Sequence, residues 1–380
     1  MNAPMSRKSK HSPSSVLFLT FALSGGGAQA VCKAWASEFA ARGHSVVTVV
    51  LDGVTQEDRE TLEALGVNVI DLLRIAGSSH VKRVQKFIAI LTSTKVQTVI
   101  SLETYPNLIA LLAGFSLRHR RPRVVVSEHN LPSLLLRAER FSQHVQLFFA
   151  KRLYRKSDHI IAVSHAVAAD LRAGFGIRPE QLSVVVNPAL AANAASSTCA
   201  EELPNSVRLL IPARLVKQKR PNKVLDVARA LSTRTDVEVV WVGDSSDGST
   251  ISPDESDRFL VRHLPWQSSW WEYADNHTVV LLASAYEGLG NVLVQAAERG
   301  VKTVVGAAAL GTADAVLPGI TGEIAESDLD SSYVAAVERV LSAKTGSFVE
   351  PWLQRFRPQA AYSSINRIIS SLPPNGLDLK

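Results

Sequence analysis

The sequence is short of the residues that staple a chain together or carry it across a membrane. Cysteine occurs twice in 380 residues, at Cys32 and Cys199, which excludes a disulfide framework and fits a reducing compartment. No group of His and Cys has the spacing of a zinc site. No apolar run approaches the ~20 residues needed to span a bilayer. No short-period repeat is present. What remains is 46% hydrophobic and 20% charged, the composition of an ordinary globular protein. The length suits two domains better than one.

The N-terminus admits two readings. A polar, basic stretch from Met1 to Ser15 precedes the apolar run Val16–Leu23, with Ala28-Gln29-Ala30 beyond it. That is the outline of a secretory signal. The favoured reading is a loose basic tail and then a first buried strand, because the following residues complete a strand–loop–helix–strand unit. Charge is also uneven. Between Arg118 and Lys156 there are ten Arg or Lys against two Glu, in a chain whose net charge is +6. A basic patch of this kind implies an anionic partner rather than general affinity for nucleic acid.

Short β-branched runs alternate with amphipathic stretches. Val16–Phe21, Ser45–Leu51, Val67–Leu72, Thr98–Leu102, Arg123–Ser127, His159–Val163 and Ser183–Val186 read as strands. Ala28–Arg42 reads as a helix, with Val31, Trp35 and Phe39 four apart on one face. After Asn187–Asn205, rich in Ala, Ser, Pro and Asn, a second series follows: Val207–Pro212, Val237–Val242, Arg258–His263, Thr278–Leu282 and Lys302–Val305. Strands alternating with helices predict parallel sheets covered on both faces. The expected organisation is a disordered basic tail over 1–15 and a Rossmann-like domain over 16–187. A linker over 188–205, a second Rossmann-like domain over 206–347 and a helical segment over 348–372, with room to pack back on the first domain, complete it.

Two segments of the second half carry chemistry. Arg214 and Lys219 closely follow a strand end, and two fixed cations at that spacing can reach two phosphates of one diphosphate; a solvated basic loop is the alternative. The stretch Glu287-Gly288-Leu289-Gly290-Asn291 follows the strand Thr278–Leu282 and opens a helix over Asn291–Arg299. Glycines there let a ligand approach the backbone, and a helix start presents free N–H groups to an anion. Glu287 can accept bonds from sugar hydroxyls, and Gln295 lies two turns into the helix.

Together these segments resemble glycosyltransferase family 4, over roughly residues 16–325. Ser24-Gly25-Gly26-Gly27 resembles its glycine-rich first loop, and Arg42-Gly43-His44-Ser45-Val46 its "rGHeV" turn. Ser157–Ser164 resembles its "aDxiiavS" strand and Asn187-Pro188 its domain-crossing "NP". Arg214-Leu215 with Lys219 resembles "gRLxxxKg", and Glu287 to Gln295 lies on its Glu-x7-Glu motif. The resemblance implies an α/β GT-B fold, two Rossmann-like doubly wound domains facing a central cleft. It further implies a retaining, metal-independent transferase with no cofactor besides a UDP- or GDP-linked sugar donor. The first domain would hold a glycan or lipid-linked acceptor and the second the donor.

By resemblance Arg214 and Lys219 neutralise the donor diphosphate, Glu287 binds the sugar, and Gln295 meets the ribose. Gly26, Gly27, Gly288, Leu289, Gly290 and Asn291 approach the donor. His129, in Ser127-Glu128-His129-Asn130, lies near the sugar, and Gly311–Asp314 forms a lid or sugar contact. Gln295 departs from the family's second Glu, keeping an acceptor but losing the charge. Asp328-Leu329-Asp330 has the form of a metal motif but sits at a helix start, where acids favour the dipole. The segment Ala138–Lys156 can lie on an anionic membrane or be a core helix with a charged edge. A cytoplasmic location, at the inner face of the cell membrane, follows from the first. Three rivals stand beside the transferase. One is an NAD-dependent oxidoreductase reading Gly25–Ala30 as G-x-G-x-x-A with Asp52 beyond. The others are a sugar-nucleotide epimerase and a non-catalytic relative.

Overall fold

The computed structural model describes residues 14–135, 141–190, 206–343 and 349–373. Residues 1–13 of the tail expected over 1–15, Cys199 and residues 191–205 of the proposed linker lie outside them, and Ser15, assigned to that tail, already belongs to the first strand.

Among the described residues the first sheet is built from β1 (Ser15–Thr20), β2 (Ser45–Val50), β3 (Asn68–Asp71), β4 (Thr98–Leu102), β5 (Arg123–Glu128), β6 (His159–Ala162) and β7 (Leu182–Val184). Its order is β3-β2-β1-β4-β5-β6-β7, every pair parallel. The second sheet holds β8 (Ser206–Pro212), β9 (Asp236–Val242), β10 (Leu260–Leu264), β11 (Thr278–Leu282), β12 (Lys302–Val305) and β13 (Gly322–Ile324). Its order is β10-β9-β8-β11-β12-β13, again parallel throughout. Helices cover both faces, so central strands are apolar along their whole length. Val16, Leu17, Phe18 and Leu19 of β1 are completely buried. The N-terminal apolar run is therefore spent on the middle of a sheet.

Each sheet winds outward in two directions from its first strand. The reversal falls between β1 and β4 in one sheet and between β8 and β11 in the other. Ligands of such sheets bind in the crevice beyond the carboxyl ends of the strands at this switch point. The loops after β1, β4, β8 and β11 are thus where chemistry is expected.

Some predicted elements change length. Val67–Leu72 shortens to β3 because the Asp71 carboxylate accepts from Arg74 N–H (3.2 Å) and caps a new helix, Leu72–Ala76. Ser183–Val186 becomes the three-residue β7, and β13 was not predicted at all. The C-terminal stretch breaks into the helix Val349–Leu353, a tight turn Gln354–Phe356 and the helix Pro358–Ser371. The last of these lies on the helix Gly27–Ala41 of the first domain. Tyr362 meets His44 (Oη to Nε2, 2.9 Å) and stacks edge-on against Phe39, while Arg123 donates to Ile369 O (2.7 Å).

Candidate active site

The loop after β1 ends in three glycines. Gly25 has φ +91°, left-handed backbone that glycine adopts without cost. The helix Gly27–Ala41 then starts at Gly26 with no side chain capping it. Opposite, Gly290 takes φ +86° and opens the helix Asn291–Glu298, also without a side-chain cap. These two uncapped starts meet: a Cβ on Gly27 would lie 3.3 Å from Asn291 Nδ2. Uncapped amides at two neighbouring helix N-termini make this junction attractive to an anion.

Arg214 sits in the loop after β8, exposed, and makes no ion pair among the described residues. It is close enough to Glu103 of the first domain to favour that residue's charged form. Lys219 follows a single turn of helix and forms an ion pair with the mostly buried Glu287. The loops after β8 and β11 are tied by one backbone and one side-chain hydrogen bond. Ala285 N–H donates to Gln218 O (2.9 Å), and the Gln218 amide donates to Tyr286 O (2.8 Å). Adjacent strands therefore deliver both cations and Glu287 to one place.

The two domains touch through backbone at Gly288. A Cβ there would fall 2.0 Å from His129 O, so nothing larger than glycine fits. The Gly311 position is as tight, 2.2 Å from both Glu287 O and Gly288 O. This seats the turn Leu310–Asp314 on the site. Asp314 then crosses the cleft, accepting from the backbone N–H of His165 (2.6 Å) and contacting its ring Nδ1 (2.7 Å). Asn187 of the crossover donates to Asn291 (2.9 Å). Gly26, Gly27, His129, Arg214, Lys219, Glu287, Gly288, Gly290 and Asn291 accordingly lie in the loops and turns where the two domains meet, whereas the Leu289 side chain is buried in the core.

Gln295 is held by two neighbours in the structure. Its Nε2 donates to Ala189 O (3.1 Å) and its Oε1 accepts from Trp270 Nε1 (3.3 Å). Oε1 keeps a second lone pair and Nε2 a second hydrogen, so these bonds hold the side chain without exhausting it. Asp328 and Asp330 are engaged by Arg220 and Lys223. Two carboxyl groups at the cleft escaped sequence reasoning. Glu128, at the end of β5, is buried and pushed up to about 7 by desolvation, although Tyr154, Thr104 and Asn107 all donate to it. Glu103, just beyond β4, is also pushed up to about 7 by burial, opposed by Arg214. Position alone, directly after predicted strands, was the signal available for either.

Burial pushes the His129 ring down from 6.5 to about 3. It is neutral in the folded protein, with Nε2 3.0 Å from Ser127 Oγ. Below pH 6.5 the unfolded chain takes up a proton here that the folded chain refuses. Stability from this group is present above 6.5 and lost as pH falls toward 3, by about 2 kcal/mol at pH 5. Glu128 acts with the opposite sign, its contribution being lost as pH rises from 4.5 through about 7. A difference between variants therefore isolates the histidine. We expect His129→Asn to lose less stability than wild type between pH 8 and pH 5 in denaturant melts. Equal losses would remove His129 as the responsible group.

Two doubly wound domains whose switch-point loops face each other across a cleft define a GT-B glycosyltransferase. Residues 26–188 match the glycosyl transferase 4-like domain and residues 201–356 match the glycosyl transferases group 1 domain. The chain belongs to the group 1 glycosyltransferases of the family-4-like type. The lipopolysaccharide 1,6-galactosyltransferase of Salmonella typhimurium is 24% identical over 226 residues, 57% of this chain and 62% of that protein. The match thus spans less than two thirds of that relative. The apo structure of the lipopolysaccharide outer core galactosyltransferase WaaB superposes with a TM-score of 0.70 at 20% identity, covering 94% of this chain and 99% of that one. Anabaena HepE in complex with UDP and glucose gives 0.68 at 17% identity, with the same coverage.

Proposed function

We propose that this protein transfers a hexose from a UDP-linked donor to a saccharide of a surface polysaccharide or glycolipid, with retention of configuration. One observation carries the reading: two uncapped helix starts meet between the switch loops, and Arg214, without an ion pair among the described residues, stands in the loop after β8 close enough to Glu103 and Tyr286 to favour the charged form of both. That is a site for a diphosphate. Arg214 and the helix starts receive the negative charge of the leaving UDP, Lys219 turns from Glu287 to phosphate, and Glu287 is freed to accept from sugar hydroxyls. The proton of the attacking hydroxyl passes to the departing phosphate oxygen. The names of the relatives support the sugar and the product class. Incubation with UDP-galactose or UDP-glucose and delipidated lipopolysaccharide core oligosaccharide as acceptor, followed by mass analysis of products, tests it. Isomerised donor without transfer would make the chain an epimerase.

Fixed cations take the place of a metal in this reading, and both carboxylates of Asp328-Leu329-Asp330 are already held by Arg220 and Lys223. Transfer is expected to persist in excess EDTA. Complete loss, restored by Mn²⁺ or Mg²⁺, would contradict the assignment.

The basic segment supports a membrane contact. Residues 138–140 of the segment Ala138–Lys156 lie outside the described residues, but the helix Phe141–Leu153 leaves Phe141 84%, Phe148 51% and Phe149 45% exposed. Arg152 lies 3.6 Å over the Phe148 ring, with Lys151, Arg155 and Lys156 nearby in sequence. Among the described residues no helix is long and apolar enough to cross a membrane. Aromatic side chains among cations suit the surface of an anionic bilayer at the inner face of the cell membrane. The protein is expected to sediment with phosphatidylglycerol vesicles and be released by salt. Equal binding to phosphatidylcholine vesicles, or none to either, would leave the helix a solvated face.

A further inference from the structure

Glu103 is held in a conformation that its residue type disfavours. Its φ of +75° and ψ of 153° lie in a region occupied almost only by glycine. The surrounding backbone imposes this: Glu103 N–H donates to Ser127 O (3.0 Å) and its carbonyl accepts from Asn107 N–H (3.0 Å). It stands immediately before the helix Thr104–Ser116 yet its carboxylate does not cap that helix. The side chain instead reaches the loop after β1. The Phe21 backbone amide donates to it, Gln29 Nε2 lies 3.5 Å away, and Arg214 faces it from the other domain. A carboxylate has about four acceptor positions, so two protein donors leave it room for a ligand. Beside it Phe21 and Tyr105 pack edge-to-face at 6.3 Å, both half-buried, and His80 Nδ1 fixes the Tyr105 hydroxyl at 2.6 Å.

A strained residue at a switch point, turned away from the helix it precedes, points to function over stability. An acceptor carboxylate next to a fixed aromatic pair suits the hydroxyls and C–H face of a sugar ring. We propose that Glu103 recognises the acceptor saccharide, taking hydrogen bonds from its hydroxyls while the ring rests against Phe21 and Tyr105. This rests on the glycosyltransferase reading above and adds to it the residue that selects the acceptor. Burial that keeps Glu103 near neutrality in the free protein agrees with a group awaiting a hydrogen-bond donor.

Two variants separate this role from a structural one. Glu103→Gly removes the side chain and suits the backbone, so it should raise the melting temperature by about a few degrees. Glu103→Gln keeps an acceptor for the Phe21 amide. Binding is read by saturation-transfer NMR with delipidated lipopolysaccharide core oligosaccharide in the presence of UDP. Wild type should show transfer to the sugar, with affinity reduced about tenfold to a hundredfold in Glu103→Gly and by less in Glu103→Gln. UDP should bind Glu103→Gly at least as tightly as wild type, because a carboxylate no longer competes for Arg214. Three results overturn the proposal: unchanged oligosaccharide affinity in Glu103→Gly, a lower melting temperature in that variant, or a wild type that binds UDP but no oligosaccharide. A wild type that binds no nucleotide defeats the donor reading itself, and this one with it.

Discussion

Arg214→Ala is expected to lower turnover by about a hundredfold or more, the scale seen when an oriented charge stabiliser is removed. Arg214 is exposed and without an ion-pair partner among the described residues. Removing it should leave the melting temperature unchanged, so the loss will read as chemistry and not as unfolding. Lys219→Ala should lose activity comparably but also melt earlier. It leaves the mostly buried Glu287 carboxylate without its partner, and an orphaned buried charge is costly. Steady-state kinetics with melting curves on both variants separates the two effects. Wild-type turnover in both would remove the cations from the mechanism.

Gly288→Ala should be as damaging for a different reason. The added methyl would stand 2.0 Å from His129 O and 2.7 Å from its carbonyl carbon, both main-chain atoms. Main chain cannot rotate aside as a side chain can, so the loop after β11 must retreat from the first domain. Overpacking of this kind costs about 1–3 kcal/mol. Displacing reacting groups by about an ångström costs on the order of a hundredfold in rate. Transfer assays and denaturant melts on the variant test both parts. Wild-type kinetics would mean that the domains do not work in contact at this point.

The contrast between these positions shows what sequence can carry. Buried parallel strands such as Thr98–Leu102, Thr278–Leu282 and Lys302–Val305 are short runs dominated by β-branched and aliphatic residues, and their limits were readable to the residue. β13 is three residues long and contains Glu323, too little for any periodicity. Arg214, Lys219 and Glu287 were legible because they lie in the loops that leave such strands. The Asp314–His165 bridge joins residues 149 apart in different domains, and no local pattern announces it. Glu103 was equally silent. Sequence shows a glutamate after a strand, and only the backbone reveals that it occupies a glycine's conformation. Gln295 was visible as a departure from the family's motif, but its attachment to Ala189 and Trp270 depends on how the crossover packs.

The central claim is that the cleft between the two sheets holds a nucleotide diphosphate. A thermal-shift titration of the purified protein with UDP, GDP, ADP and NADH tests it most directly, since a ligand that binds only the folded state raises its stability by about 2.7 kcal/mol at a hundredfold excess over Kd. UDP is expected to give a saturable rise in melting temperature that is greatly reduced in Arg214→Ala. No shift with any nucleoside diphosphate, or a shift with NADH alone, would contradict it.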